Sequence, residues 1–134
     1  MACIGIVKAA YNNDVTSRML DAARARATQK HATIERIAEV PGVLDLPLVA
    51  KQLLTSKKIE GVVVLGFVKK GETDHDQLVA HQSVRALVDL SLSLNKPIGF
   101  GIIGPNATHE QGLLRAEQYA SHAVDTVLAL IALL

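Results

Sequence analysis

The sequence predicts an α/β fold, a three-layer sandwich in which a four-stranded parallel sheet lies between helices. Three observations carry this. Four short apolar runs alternate with helical stretches along the 134 residues. The run Val62–Val68 is unbroken, rich in β-branched residues and bounded by Gly61 and Gly71, the pattern of a strand buried on both faces. No repeat, linker or low-complexity stretch divides the chain, so residues 1–134 read as one domain. Regular β-α alternation implies right-handed crossovers and helices on both faces of the sheet.

The first strand is Cys3–Lys8, followed by Tyr11-Asn12-Asn13-Asp14, where Asn13 or Asp14 serves as N-cap of a helix running to about Lys30. Thr33–Val40 alternates loosely through Ile34, Ile37 and Val40 as a second strand and stops at Pro41-Gly42. Asp45–Ser56 is a helix with Pro47 in its first turn, where a missing N–H costs nothing. The third strand, Val62–Val68, precedes a helix from about Asp74 to Leu94. Pro97–Ile103 is the fourth strand, Gly104-Pro105-Asn106 a turn, and Thr108 with Gln111 a capping box opening the last helix.

Composition narrows the function. Hydrophobic residues at 49% and charged residues at 20% fit a globular protein, and 134 residues suffice to bury a substantial core. A formal charge of +1 with no basic face argues against nucleic acid as partner. The single Cys3 cannot form an internal disulfide and reads as a buried structural thiol of a reducing compartment. The N-terminus lacks a secretory pattern, and VLALIALL at the C-terminus is too short to span a bilayer. A cytoplasmic protein without a membrane partner is expected, its last helix buried in a core or between subunits. Lys51, Lys57 and Lys58 form an ordinary solvated face.

Chemistry concentrates just after the third strand. Lys69-Lys70-Gly71 leads into Glu72-Thr73-Asp74-His75, with Thr73 and Asp76 as a passable cap. A helix N-terminus just past a strand's carboxyl end presents free N–H groups and the positive end of the helix dipole, suited to phosphate or carboxylate. Imidazole is the side chain whose unperturbed pKa allows proton exchange near neutrality, which makes His75 the candidate acid–base group. Of four aromatics, Tyr11, Phe67 and Phe100 fall at or near the ends of strands one, three and four. A planar ligand stacking at the sheet's carboxyl edge accounts for that bias as well as packing does.

Two patterns mislead. Gly99-Phe100-Gly101-Ile102-Ile103-Gly104 spells G-x-G-x-x-G, yet it lies inside a strand and Pro105 follows, whereas a dinucleotide fingerprint opens a helix. His75 and His81 stand six apart on one helix and face different directions, so no metal site is expected. His31, His109 and His122 default to solvated or dipole-related positions.

Taken in order, the motifs resemble the 6,7-dimethyl-8-ribityllumazine synthase family, particularly its archaeal branch, over nearly the whole chain. Tyr11-Asn12 is similar to the family's Phe-Asn after strand one. Val40–Leu48 is similar to its V-P-G-x-x-[ED]-x-P segment, and Gly66 through His75 to G-x-x-x-x-G-x-T-x-H, the most specific of the set. Phe100-Gly101 and Glu110-Gln111 with Arg115 resemble its F-G and E-Q-x-x-x-R elements. The resemblance implies a flavodoxin-like fold and a transferase of riboflavin biosynthesis. Such an enzyme joins 5-amino-6-(D-ribitylamino)uracil to 3,4-dihydroxy-2-butanone 4-phosphate with loss of phosphate and water. It implies no metal or cofactor, because the substrate amine is the nucleophile, and a homopentamer or a multiple of pentamers. Tyr11 would stack on the pyrimidine. Val43, Leu44, Asp45, Phe67, Val68 and Lys69 would line the ribityl and pyrimidine pocket, with Asp45 accepting ribityl hydroxyls. Glu72 and Thr73 would meet the phosphate, His75 would move protons, and Phe100 and Arg115 would come from the neighbouring subunit.

The sequence departs from bacterial members at three places. Asp45 is one methylene shorter than their common glutamate, and Lys69-Lys70 replaces Ile-Arg. A lysine of their last helix is missing where this chain reads Tyr119-Ala120-Ser121-His122-Ala123, which shifts phosphate handling toward Arg115, with His122 as a possible helper. An archaeal-type riboflavin synthase, which dismutates two lumazines, and a non-catalytic flavin- or lumazine-binding protein are the alternatives. The Gly-x-Thr-x-His segment favours the first reading.

Overall fold

The computed structural model describes residues 1–134 and joins the four strands in one sheet. β1 (Cys3–Ala9) and β3 (Gly61–Lys69) are central, β2 (Thr33–Val40) and β4 (Ile98–Ala107) are the edges, and every neighbouring pair is parallel in the order β2-β1-β3-β4. β3 is buried along its whole length except Lys69 because helices cover both its faces, which is why its sequence does not alternate. β2 exposes Glu35, Arg36 and Glu39, charges that suit an edge strand.

α1 (Asn13–Gln29) and α4 (His109–Leu133) cover one face; α2 (Leu46–Leu54) and α3 (His75–Leu94) cover the other. Alternate strand residues separate accordingly. Ile4, Ile6, Val63, Leu65, Phe67 and Ile103 join the first core; Val7, Ala9, Val62, Val64, Ile98 and Ile102 join the second. The predicted three-layer α/β sandwich is therefore the observed one. No helix is long and apolar enough to cross a membrane.

The glycines of the false fingerprint are packing residues of β4. A Cβ on Gly99 would meet the Ala123 carbonyl of α4, and one on Gly101 would come within 2.7 Å of the Leu65 side chain. Two sets of polar contacts secure the helices near their ends. Arg26 of α1 grips Asp125 of α4 through two hydrogen bonds of 2.7 and 3.0 Å, which hold the Asp125 carboxyl below its ordinary range. Lys96 donates to the carbonyls of Leu54, Ser56 and Ile59 at 2.8–2.9 Å and so satisfies acceptors at and beyond the end of α2.

Several local expectations are corrected. Neither Asn13 nor Asp14 caps α1. Asn12 is the cap residue, in the left-handed conformation (φ 61°) and without a side-chain bond to the helix. Asn13 instead accepts from the nearly buried Lys8, and Asp14 meets His109 Nε2 at 2.6 Å, so His109 is not merely solvated. The second helix is split: Val43–Asp45 is one 3₁₀ turn, and α2 ends at Leu54.

Asp76 does not return to Thr73 as a cap; its carboxylate accepts from the Asn106 N–H, in the segment read as a turn. That segment is a bulge inside β4. Pairing runs to Phe67–Ile103, slips through Gly104-Pro105-Asn106, and resumes at Lys69–Ala107. The capping box of Thr108 and Gln111 is present as expected.

Cys3 is half-buried rather than buried. Desolvation first, then the Glu35 and Glu60 carboxylates, push its thiol above the ordinary value, which disfavours the thiolate. VLALIALL is not a core segment either: past Val127 the side chains of α4 are half-buried or exposed, Leu133 to 80%.

Candidate active site

The chain crosses from β1 to β2 on one side and then from β2 past β1 to β3, so the connection reverses direction between β1 and β3. At such a switch point the loops leaving the carboxyl ends diverge and open a crevice. A cavity of about 750 Å³ lies there, lined by the loops that follow β1, β2 and β3 and by the start of α3.

Each wall is braced by backbone chemistry. The loop after β1 is tied to the loop after β2 by Ala10 N–H to the Val40 carbonyl at 2.7 Å and Tyr11 N–H to the Pro41 carbonyl at 3.0 Å. Asn12 reaches the other way, its Nδ2 donating to the Phe67 carbonyl at 3.1 Å. The left-handed backbone that asparagine tolerates here turns the chain into α1 and leaves Tyr11 outside, 73% exposed. An aromatic ring held open at the mouth of a crevice is a surface for a planar partner. After β2, Asp45 Oδ2 accepts from the Gly42 N–H at 2.9 Å, which closes the 3₁₀ turn and leaves its other oxygen available.

The β3–α3 segment supplies the charged end. Lys69 and Lys70 are exposed beside the cavity. Asp74 offers α3 no side-chain cap; only Thr73 Oγ1, 3.4 Å from the His75 N–H, approaches the helix start. The amides of Glu72, Thr73 and Asp74 have no acceptor within the chain. His75 occupies the first helical position, is exposed with its ring free of hydrogen bonds within the chain, and is one of the residues lining the cavity.

Of the residues singled out in the sequence, Tyr11, Val43, Leu44, Asp45, Phe67, Val68, Lys69 and His75 surround this one cavity. Glu72 and Thr73 are exposed in the segment between two of its walls and do not line it. Phe67 is there chiefly as backbone, since its ring is 2% exposed in the α1–α4 core, against Gly112 and 6.2 Å from the His109 ring. Phe100 is half-buried opposite Val64 in mid-sheet, not at the carboxyl edge, and Arg115 is exposed on α4; neither lines the cavity. The sequence reading assigned no role at the site to Asn12, Gly42, Lys70, Asp76 or Val79. Val79 was within reach of it, one helical turn beyond His75 on the same face. No three His, Cys, Asp or Glu side chains converge anywhere in the chain.

A family-wide sequence profile described as 6,7-dimethyl-8-ribityllumazine synthase matches residues 1–134. The chain belongs to the 6,7-dimethyl-8-ribityllumazine synthase family. Among proteins bearing that name, it is 47% identical to one from Metallosphaera sedula over 125 residues, 93% of this chain and 83% of that protein. It is 47% identical over 128 residues to one from Saccharolobus islandicus, spanning 96% and 83% of the two chains. It is 44% identical to the Sulfolobus acidocaldarius protein, again over 96% of this chain and 81% of the relative. The archaeal flavour of the motifs and the membership they implied both stand.

Proposed function

We propose that this chain condenses 5-amino-6-(D-ribitylamino)uracil with 3,4-dihydroxy-2-butanone 4-phosphate to 6,7-dimethyl-8-ribityllumazine. Family membership over the whole chain supports this, as do the names of its relatives. The observation that carries it is the convergence of Tyr11, Asp45, Lys69 and His75 on one crevice at the sheet's switch point. The substrate amine attacks the ketone carbon and a first water leaves to give an imine. Phosphate is then eliminated to leave an enol that becomes a carbonyl, and the ribitylamino nitrogen closes the ring on that carbonyl with loss of a second water. Every step moves a proton or a leaving group, and none needs a protein nucleophile. His75 moves the protons. Tyr11 stacks on the pyrimidine, and Val43, Leu44, Val68 and the Phe67 backbone enclose the rest of the organic body. Asp45 takes the ribityl hydroxyls on its free oxygen. Glu72 and Thr73 offer amides to the phosphate, and Lys69 adds positive charge.

Phe100 and Arg115 complete the site from a second copy of the chain, in a homopentamer or a multiple of pentamers, working in the cytoplasm on small-molecule substrates. The exposed apolar end of α4 offers surface for that association. An absorbance assay with both substrates, beside one given lumazine alone, is the direct test. Lumazine formation from the pair supports the condensation. Riboflavin from lumazine alone assigns the chain to the dismutation instead, and binding of either without turnover makes it a carrier.

Tyr11 gives a sharper check on the pyrimidine subsite. Tyr11→Ala is expected to weaken the aminouracil by about 0.5–1.5 kcal/mol of stacking plus lost apolar contact, and to leave the butanone phosphate unaffected. Tyr11→Phe keeps the ring and is expected to be nearly silent, as measured by KM for each substrate. A severe loss in the phenylalanine variant would mean that the hydroxyl itself contacts substrate.

A further inference from the structure

Asp76 is the one acidic side chain buried in this protein, 6% exposed, and the chemistry above gives it no task. It sits next to His75, in the first turn of α3. Its Oδ2 reaches across to β4 and accepts from the Asn106 N–H at 2.8 Å. Asn106 belongs to the bulge, with left-handed backbone (φ 61°) beside Gly104 (φ 106°). The same bulge is pressed on the cavity wall. A Cβ on Gly104 would collide with the Val68 carbonyl, and the Lys70 N–H donates to the Ala107 carbonyl at 2.7 Å. The bulge thus holds the end of β3 on one side and the start of α3 on the other.

We infer that Asp76 is a positioning residue: by clamping the β4 bulge to the first turn of α3, it fixes the His75 ring against the Val68–Lys70 wall. This rests on the proposed acid–base role of His75. No other hydrogen bond ties this helix end to another strand or helix. Asp74 does not cap it, and the Thr73 contact is long at 3.4 Å. The burial of Val79 and Ala80, half and full, keeps the helix on the sheet but leaves its first turn to be set by Asp76. Asn106 is itself an exposed residue, so removing the carboxylate opens a route for water to its N–H, and the fold is expected to survive the change.

The test is a double-mutant cycle read in steady-state kinetics. Asp76→Ala is expected to lower kcat by about ten- to a hundredfold, the cost of a misplaced group near the reacting atoms, with both KM values held. Asp76→Asn keeps an oxygen acceptor of the same size for the Asn106 N–H and should retain most of the activity. In a His75→Ala background, with turnover measured above the reaction in buffer, adding Asp76→Ala should cost less than about twofold, because the group it positions is gone. Losses that multiply in the double variant would overturn the inference, as would an Asp76→Asn variant as impaired as Asp76→Ala. If wild-type protein forms no lumazine, the functional reading fails before the cycle begins; if it turns over normally and the losses multiply, only the positioning role fails.

Discussion

His75→Ala is expected to lower kcat by a factor in or below about 10²–10⁴, the range a placed general acid–base group supplies, while leaving both KM values largely intact. The expectation follows from where the side chain stands. It occupies the first position of α3, lines the cavity, and its ring forms no hydrogen bond within the chain, so its donor and acceptor are open to a substrate. Turnover should persist at a reduced level, since the two substrates carry the reactive amine and ketone and the cavity still brings them together. Steady-state rates at saturating concentrations of both substrates measure the loss. An unchanged kcat would remove His75 from the chemistry, and with it the reason for fixing its position through Asp76.

The β3 run shows how much of this was legible. The β-branched run Val62–Val68, broken by no polar side chain, required a strand covered on both faces, and that covering dictates helices on each side. The α4 start was equally local, because Thr108 and Gln111 close their capping box three residues apart. Contacts made over long sequence distances were not legible. Nothing near Gly104-Pro105-Asn106 signals that Ala107 rejoins Lys69, since the bulge is stabilised by Asp76 and Lys70, which lie some thirty residues earlier. Asp76 fits a local cap by its spacing from Thr73 for the same reason: its partner, the Asn106 N–H, stands on another element. Asn12 displaced Asn13 and Asp14 as the α1 cap because those two side chains are taken by Lys8 and His109.

The site divides the same way. Tyr11 lies just past the end of β1 and His75 opens the helix after β3, so their motifs placed them beside the cavity; Asp45 stands in a turn announced by Pro41-Gly42. Phe67 illustrates the limit. Its position at the end of β3 was right, but strand alternation sends its ring into the α1–α4 core while its carbonyl faces Asn12. The Tyr11, Phe67 and Phe100 bias toward strand ends therefore reduces to one exposed ring, Tyr11, with the other two packed.

Arg115→Ala is expected to weaken the phosphorylated substrate by roughly 10- to 150-fold, the loss of about 1.5–3 kcal/mol from one charge-assisted contact, and to change aminouracil binding little. Arg115 lies exposed on α4, without an ion pair in its own chain, and no α4 residue lines the cavity. A role in phosphate binding then requires that it enter a neighbour's cavity, and a head-to-tail contact that closes makes a ring. The consequence can be measured directly. Two variants, His75→Ala and Arg115→Ala, each impair every site in their own assemblies, but equal amounts refolded together leave about a quarter of random head-to-tail interfaces with both residues intact. With the phosphorylated substrate held well below its KM in the Arg115→Ala parent, activity per site should climb toward that fraction of wild type, well above the mean of the parents. If both residues served from one chain, no intact site could form in any mixture. Mixed rings verified by mass and showing no rescue would reject the shared site, and a monomer in sedimentation would reject it sooner.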